Sequence, residues 1–361
     1  MFKLLPKGGV PPGRPPLAEG AITQRTVRQV ESSGGGTVGR VPFTPPKFSG
    51  TLKPARLFDP RQDAEVLNKA LKKFVAKDTK TVMNILCQRS NDQRQQIAMV
   101  YKELYQKDLT QELNGALGGD FKALILALMQ QPAEYDAATL REAMKGAGTD
   151  EAILIEVLCT KNNMELRGIV NAYAKLFKRD LSADIKSETS GKFRSLLLKV
   201  LRGARDESLY IDSGKARRDA EALQRVGVKK WASDETFENI VANDSIWQLQ
   251  ETFRHYQELT GIDVEKAIQK EFSGDEGKAY QTLINSLRDK PTHFAVRLYQ
   301  SMKGIGTNDA LLVYCVVSRC EIDMVQIKQN FQRMYTKSLE DWIVGDTSGK
   351  YKESLLMLVQ D

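Results

Sequence analysis

The sequence predicts an all-α protein of four stacked helical repeats behind an N-terminal tail that cannot build a core. Three observations carry this. Apolar residues recur with the period of a helix, a glycine-centred pattern returns four times, and no stretch sustains the period-two alternation of a strand.

The tail comes first. Residues 1–55 hold eight Lys and Arg against Glu19 and Glu31, a balance of +6, so the remainder of this +7 chain is close to neutral. Ten of the twelve prolines lie within the first 60 residues, together with the run Gly34-Gly35-Gly36. Such a stretch is expected to be disordered. Its charge attracts acidic lipid, nucleic acid or acidic protein without choosing among them, and a plain solvated leader fits equally. Ile22, Val27 and Val30 form a short apolar series that a partner protein can grip, and Arg25-Thr26 and Thr44-Pro45 are exposed Thr sites open to phosphorylation.

From Arg56 onward the repeats begin. Gly119, Gly191, Gly274 and Gly349 mark one recurring pattern, spaced 72, 83 and 75 residues apart. Each is followed by an apolar run such as Phe121-Lys122-Ala123-Leu124 or Phe193-Arg194-Ser195-Leu196. The units are placed at 56–130, 131–203, 204–289 (with extra linker) and 290–361. A module of this size cannot bury its apolar face alone, so neighbours stack. Within the second unit Phe193, Leu196, Leu197, Val200 and Leu201 share one helix face. Leu166, Ile169, Val170, Tyr173, Leu176 and Phe177 share another. Ile153, Leu154, Val157 and Leu158 mark a third helix, with Thr149 as its expected N-cap.

Composition narrows the function. At 41% hydrophobic residues the 361-residue chain can bury a large core, yet its longest apolar runs, such as 123–129, are too short to span a bilayer. The start has no apolar stretch suited to a signal peptide, so a cytoplasmic protein is expected. Four cysteines read as reduced core thiols, and His255 and His293 stand far from any cysteine pair, which leaves no zinc site. No Gly-x-Ser-x-Gly, phosphate-loop lysine or nucleophile–His motif is present, so no enzyme is expected.

Two loops carry chemistry: Met144-Lys145-Gly146-Ala147-Gly148-Thr149 and Met302-Lys303-Gly304-Ile305-Gly306-Thr307. An acid follows the Met of each at the same offset of 44, Glu188 and Asp346. Two glycines in three residues let a backbone turn its carbonyls to one side. The carbonyls of Met144, Gly146 and Gly148 with bidentate Glu188 offer five oxygens to a hard cation such as Ca²⁺, which takes about 6–8. Met302, Gly304, Gly306 and Asp346 repeat the set. A single copy reads as well as a tight helix connection, and Asp346 can also cap a helix. The duplicated offset favours the cation. A dinucleotide-binding loop fits poorly, because neither copy has a third glycine or a preceding strand.

With four units, two Met-Lys-Gly-x-Gly-Thr loops and their acids, the stretch from Arg56 to Asp361 closely resembles the annexins. The resemblance implies a curved disc of four five-helix repeats with calcium loops on its convex face, bound through Ca²⁺ to acidic phospholipid. It also implies a variable regulatory tail, gripped in some members by EF-hand dimers, and in some members export to the cell surface without a signal peptide. Nucleic acid is not an expected partner on this reading. Repeat one departs from the pattern: Lys72-Lys73-Phe74-Val75-Ala76-Lys77-Asp78 replaces the loop and Ala116 the acid, so no such calcium site is expected. Repeat three, Gly227-Val228-Lys229-Lys230-Trp231-Ala232-Ser233-Asp234, resembles a family variant. Carbonyls of Gly227, Lys230 and Ala232 with Glu271 are the expected, weaker set. Ala147, Ile305 and Trp231 are placed at the loop tips, where Trp231 either meets the headgroup boundary or packs on lysine stems. The alternative function is a helical-repeat scaffold that binds protein or RNA through its basic tail and whose loops no longer hold calcium.

Overall fold

The computed structural model describes residues 41–42, 47–72, 78–146, 148–231 and 233–360. The helices fall into four groups of like design. Repeat one comprises α1 (Pro60–Lys72), α2 (Thr79–Leu86), α3 (Asn91–Tyr105), α4 (Leu109–Ala116) and α5 (Gly119–Met129). Repeat two comprises α6 (Pro132–Ala143), α7 (Glu151–Cys159), α8 (Asn163–Phe177), α9 (Leu181–Glu188) and α10 (Gly191–Leu201). Repeat three has α11 (Ser213–Val226), the single turn α12 (Val228–Trp231), α13 (Glu235–Asn243), α14 (Ile246–Thr260), α15 (Val264–Glu271) and α16 (Gly274–Arg288). Repeat four closes the chain with α17 (Lys290–Met302), α18 (Asp309–Arg319), α19 (Met324–Tyr335), α20 (Leu339–Asp346) and α21 (Gly349–Val359).

Local chemistry sets these boundaries in the same way each time. The long third helices start on a side-chain cap in three repeats: Ser90 and Asn162 form full capping boxes with Gln93 and Glu165, and Ser245 caps α14. All four end on a residue with positive φ: Gln106, Lys178, Gly261 and Thr336. Each of the four donates its backbone N–H to the carbonyl four residues earlier. The fourth helices are all eight residues long. Every fifth helix then opens on one of the glycines that mark the repeat, at φ +60, +60, +63 and +58°. A Cβ there would touch nothing within 4 Å, so the left-handed dihedral, and not crowding, calls for glycine.

The apolar faces form one core that runs through all four units. Helix α5 of repeat one packs on α18 of repeat four, and α7 of repeat two on α16 of repeat three. Repeats two and four meet through buried charge. Glu156 faces His293 at 3.0 Å and Arg297 at 2.7 Å, and Tyr314 of repeat four donates its hydroxyl at 3.0 Å to Asp136, which Lys161 of its own repeat holds at 2.6 Å. Burial would raise the Glu156 carboxyl, but its contacts with His293 and the Arg297 guanidinium more than offset that and hold it below the usual range. The four cysteines are free and buried, and burial pushes the thiols of Cys87, Cys159 and Cys320 up to about 12, as befits inert core thiols.

The described residues are all-α as expected, apart from a two-residue antiparallel pair between β1 (Val41–Pro42) and β2 (Tyr210–Ile211). Structural order also begins ahead of the compositional boundary at 55. Ser49 N–H donates to Gln326 at 2.9 Å, Val325 N–H to the Ser49 carbonyl at 3.1 Å, and Leu52 N–H to the Cys320 carbonyl at 2.9 Å. Gly50 lies flat on the backbone of Glu321, where a Cβ would come within 2.4 Å. The Pro- and Gly-rich composition hid this because the segment is held mainly by hydrogen bonds to repeat four, with Leu52 its one buried apolar side chain. The apolar series at residues 22–30 and both Thr sites lie outside the described residues.

Candidate functional site: paired carbonyl loops beside helix-end acids

In repeats two and four the loop between the first and second helices is pinned at its base by one long-reaching bond. Asp150 N–H donates to the Ala143 carbonyl at 2.8 Å, and Asn308 N–H to that of Ser301 at 2.7 Å. Between these ends the chain bulges outward. Gly146 and Gly148 stand at φ +102 and +100°, and Gly304 and Gly306 at +112 and +82°. Such values are strained for any L side chain and free for glycine. Among the described residues, no backbone N–H donates to the carbonyls of Met144, Gly146, Gly148, Met302, Gly304 or Gly306. No described backbone donor competes for these six oxygens.

The acids are brought to the loops by the helix-end register. Glu188 and Asp346 are the last residues of α9 and α20, and both are half-buried. Thr149 donates its hydroxyl to the Glu188 carboxylate at 3.1 Å and lies 3.3 Å from the Glu188 carbonyl. Thr307 does the same to Asp346, reaching its carbonyl at 3.1 Å. The threonine is therefore not the N-cap that the sequence suggested. Asp150 and Asn308, one residue later, cap α7 and α18 by accepting from Ile153 and Leu311 N–H. The signal for this lay in the sequence, since both copies place Asp or Asn, stronger caps than Thr, directly after the threonine. Glu188 also opens onto a polar cleft of about 460 Å³ lined by Glu151, Thr189, Arg194 and Glu276.

This donor set suits a hard cation. Among the described residues no group of three or more His, Cys, Asp or Glu side chains is arranged to hold a metal. A cation here would be held by backbone oxygens and one carboxylate, which is oxygen chemistry suited to Ca²⁺. Repeat one lacks the acid: Ala116 occupies the end of α4, the position of Glu188 on α9. Residues 73–77 of its loop lie outside the described residues.

Repeat three has the acid but not the open loop. Glu271 ends α15 and is exposed. The Gly227 carbonyl accepts from Lys230 N–H at 2.9 Å, and the Lys230 carbonyl accepts from Ser233 N–H and Asp234 N–H at 2.9 and 2.8 Å. Ser233 sends its hydroxyl to that same carbonyl and not to Glu271. The expected ligands Gly227 and Lys230 are thus engaged in the turn of α12, and Ala232, like Ala147, lies outside the described residues. Trp231 is no loop-tip residue. It is fully buried, stacked on Phe237 at 4.5 Å, with its indole N–H on the Leu223 carbonyl at 3.0 Å. Its apolar area gains more from the aromatic pocket of Phe237 and Tyr256 than from a surface position. Ile305, by contrast, is fully exposed at the tip of the repeat-four loop.

Comparison with known proteins agrees with this architecture. The annexin family model matches at residues 62–128, 135–200, 218–283 and 293–358. Annexin A7 of Macaca fascicularis is 45% identical over 311 residues, covering 86% of this chain and 64% of the relative, so the chain spans somewhat less than two thirds of that protein. Annexin A13 of Canis lupus familiaris is 45% identical over 303 residues, with 84% of this chain and 96% of the relative covered. Among solved structures, annexin III superposes with a TM-score of 0.85 at 39% identity, covering 87% of this chain and 98% of that one. Calcium-bound annexin (Sm)1 gives a TM-score of 0.78 at 30% identity, covering 87% and 93%. No described helix is long and apolar enough to cross a membrane. The chain belongs to the annexin family, the calcium-dependent phospholipid-binding proteins.

Proposed function

We propose that the chain binds acidic phospholipid membranes peripherally when calcium rises, through the loops of repeats two and four, and so organises or traffics membranes from the cytoplasm. The observation that carries this is the pair of loops whose glycine-turned carbonyls accept from no backbone N–H among the described residues, each beside a carboxylate oriented by a threonine. Met144, Gly146, Gly148 and Glu188 would hold one Ca²⁺, and Met302, Gly304, Gly306 and Asp346 another. Bound there, Ca²⁺ offers open coordination positions to a lipid phosphate or carboxylate oxygen. One carboxylate against a divalent ion leaves the site cationic, so lipid and calcium each raise the affinity for the other. Two sites on one molecule make attachment multivalent, and modest single sites then suffice. Ile305 at the repeat-four tip is placed to enter the interfacial region. The third expected set, Gly227, Lys230 and Ala232 with Glu271, would assemble only if the α12 turn unwound. The basic tail adds attraction to an acidic leaflet or serves a protein partner.

Sedimentation with phosphatidylserine vesicles over a calcium titration tests the reading. Calcium-dependent pelleting that EDTA reverses at near-physiological ionic strength, and that Glu188→Gln with Asp346→Asn largely removes, is the expected result. Pelleting that ignores calcium and falls smoothly with salt would instead favour the tail-driven scaffold.

A further inference from the structure

Repeat three differs from its neighbours in the charge it presents where they present carbonyls. Its turn is closed from within by the bonds on Gly227 and Lys230 and by the buried Trp231. Helix α12 packs against α15, whose last residue is Glu271, so the turn lies where the loops of repeats two and four lie relative to α9 and α20. On its outer side Lys229 and Lys230 are both exposed, and so is Arg225 at the end of α11. The lysines of the other two loops are engaged on their own helices: Lys145 pairs with Glu142 at 3.4 Å, and Lys303 lies over the Tyr299 ring at 5.6 Å. Among the described residues no carboxylate stands within ion-pair distance of Lys229, Lys230 or Arg225. The acids that follow do not neutralise them, since Asp234 is committed to the Thr236 N–H at 2.7 Å and Glu235 is an exposed first-turn residue of α13.

We propose that this closed turn is a calcium-independent anchor for an anionic membrane surface, with the Lys229 and Lys230 ammonium groups, supported by Arg225, meeting lipid phosphates directly. The inference rests on the membrane-facing reading of the neighbouring loops. It deepens that reading by assigning a division of labour: the loops of repeats two and four act chiefly through calcium, and the turn of repeat three acts through fixed ammonium charge alone. A fixed ammonium needs no coordination shell and no prior ion, so the protein holds a weak, oriented affinity for acidic lipid before calcium rises. Because the side chains are exposed, this attraction is screened within a Debye length of about 8–10 Å and weakens with salt.

The test uses the full chain and vesicles of phosphatidylserine and phosphatidylcholine in EDTA at low ionic strength. It compares wild type, Lys229→Gln with Lys230→Gln, and a charge-matched control, Lys102→Gln with Lys178→Gln, at and just beyond the ends of the third helices α3 and α8, away from the loops. The expected result is a loss of about tenfold in the calcium-free partition coefficient for the first pair. The control pair should change little, and binding at saturating calcium should be retained in both. Equal binding of wild type and the Lys229/Lys230 variant overturns the anchor outright, and an equal loss in the control overturns it by leaving only a net-charge effect. A calcium titration on the same vesicles keeps the two readings apart. If wild type shows no calcium dependence, the loop reading fails. If calcium dependence is intact while the Lys229/Lys230 variant matches wild type in EDTA, only the anchor fails.

Discussion

Replacing Glu188 by Gln isolates the electrostatic part of calcium binding. The amide oxygen of Gln can still accept from the Thr149 hydroxyl that now lies 3.1 Å from the carboxylate, so α9 and the loop keep their register. What is lost is a unit negative charge from a site with one carboxylate. At a calcium–oxygen distance of about 2.4 Å, attraction between that charge and a divalent ion is about 3 kcal/mol even at the dielectric constant of water. That corresponds to roughly a hundredfold in affinity for the isolated site. With Asp346 intact the calcium midpoint for vesicle pelleting should rise by less, about three- to tenfold, because the second loop still tethers the protein. Adding Asp346→Asn should bring the shift close to the full hundredfold. Thermal unfolding without calcium is the control and should be unchanged within about 0.5 kcal/mol, while stabilisation by added calcium should shrink. A single variant that pellets at the wild-type calcium midpoint, with its calcium-dependent thermal shift intact, would refute the assignment of Glu188 as a ligand.

Other consequences can be checked in parallel. Gly304→Ala places a Cβ in open space but at φ +112°, so only backbone strain of about 1–3 kcal/mol acts. It should raise the calcium midpoint of repeat four with little change in global unfolding if the loop relaxes to a negative φ. Trp231→Ala should destabilise the fold by about 3–5 kcal/mol in urea, since the ring is fully buried among Phe237 and Tyr256. Wild-type Trp231 should also resist collisional quenching in the absence of calcium. Asp184 accepts from Arg179 at 2.6 Å and from Tyr173 at 2.6 Å, and the Arg179 guanidinium holds its carboxyl below the usual aspartate range against the cost of burial. A depressed folded-state pKa means that its stabilisation is complete above about pH 4–5 and is lost as pH falls through the folded value. Asp184→Asn should therefore cost about 1.5–3 kcal/mol at neutral pH and flatten the acid limb of the stability profile.

Much was legible along the chain because the repeat is written in local chemistry. The glycines at 119, 191, 274 and 349 recur because each starts a helix at positive φ, a demand that one residue type satisfies without strain. Loops of Gly-x-Gly-Thr with an acid 44 residues after the Met were visible for the same reason: carbonyl presentation depends on the dihedrals of two glycines, and the acid on a helix of constant length. The absence of a carboxylate in repeat one was equally plain at Ala116.

Other decisions belonged to contacts between distant segments. Whether threonine caps a helix or orients an acid depends on where α9 ends in space, and Thr149 turned to Glu188 because Asp150 already served the cap. The loop position of Trp231 in the sequence points to the surface, yet the pocket that buries it is built by Phe237 and Tyr256 from other helices. The same burial closes the turn and exposes Lys229 and Lys230. Residues 49–52 looked like tail, because composition records what a segment can bury by itself and not the backbone groups of repeat four that receive it. The sequence by itself determined the helices, their fourfold recurrence and the oxygen-rich loops, since these rest on dihedral preference and local period. Only the tertiary structure decided which of those loops stand open, because that depends on what packs behind them.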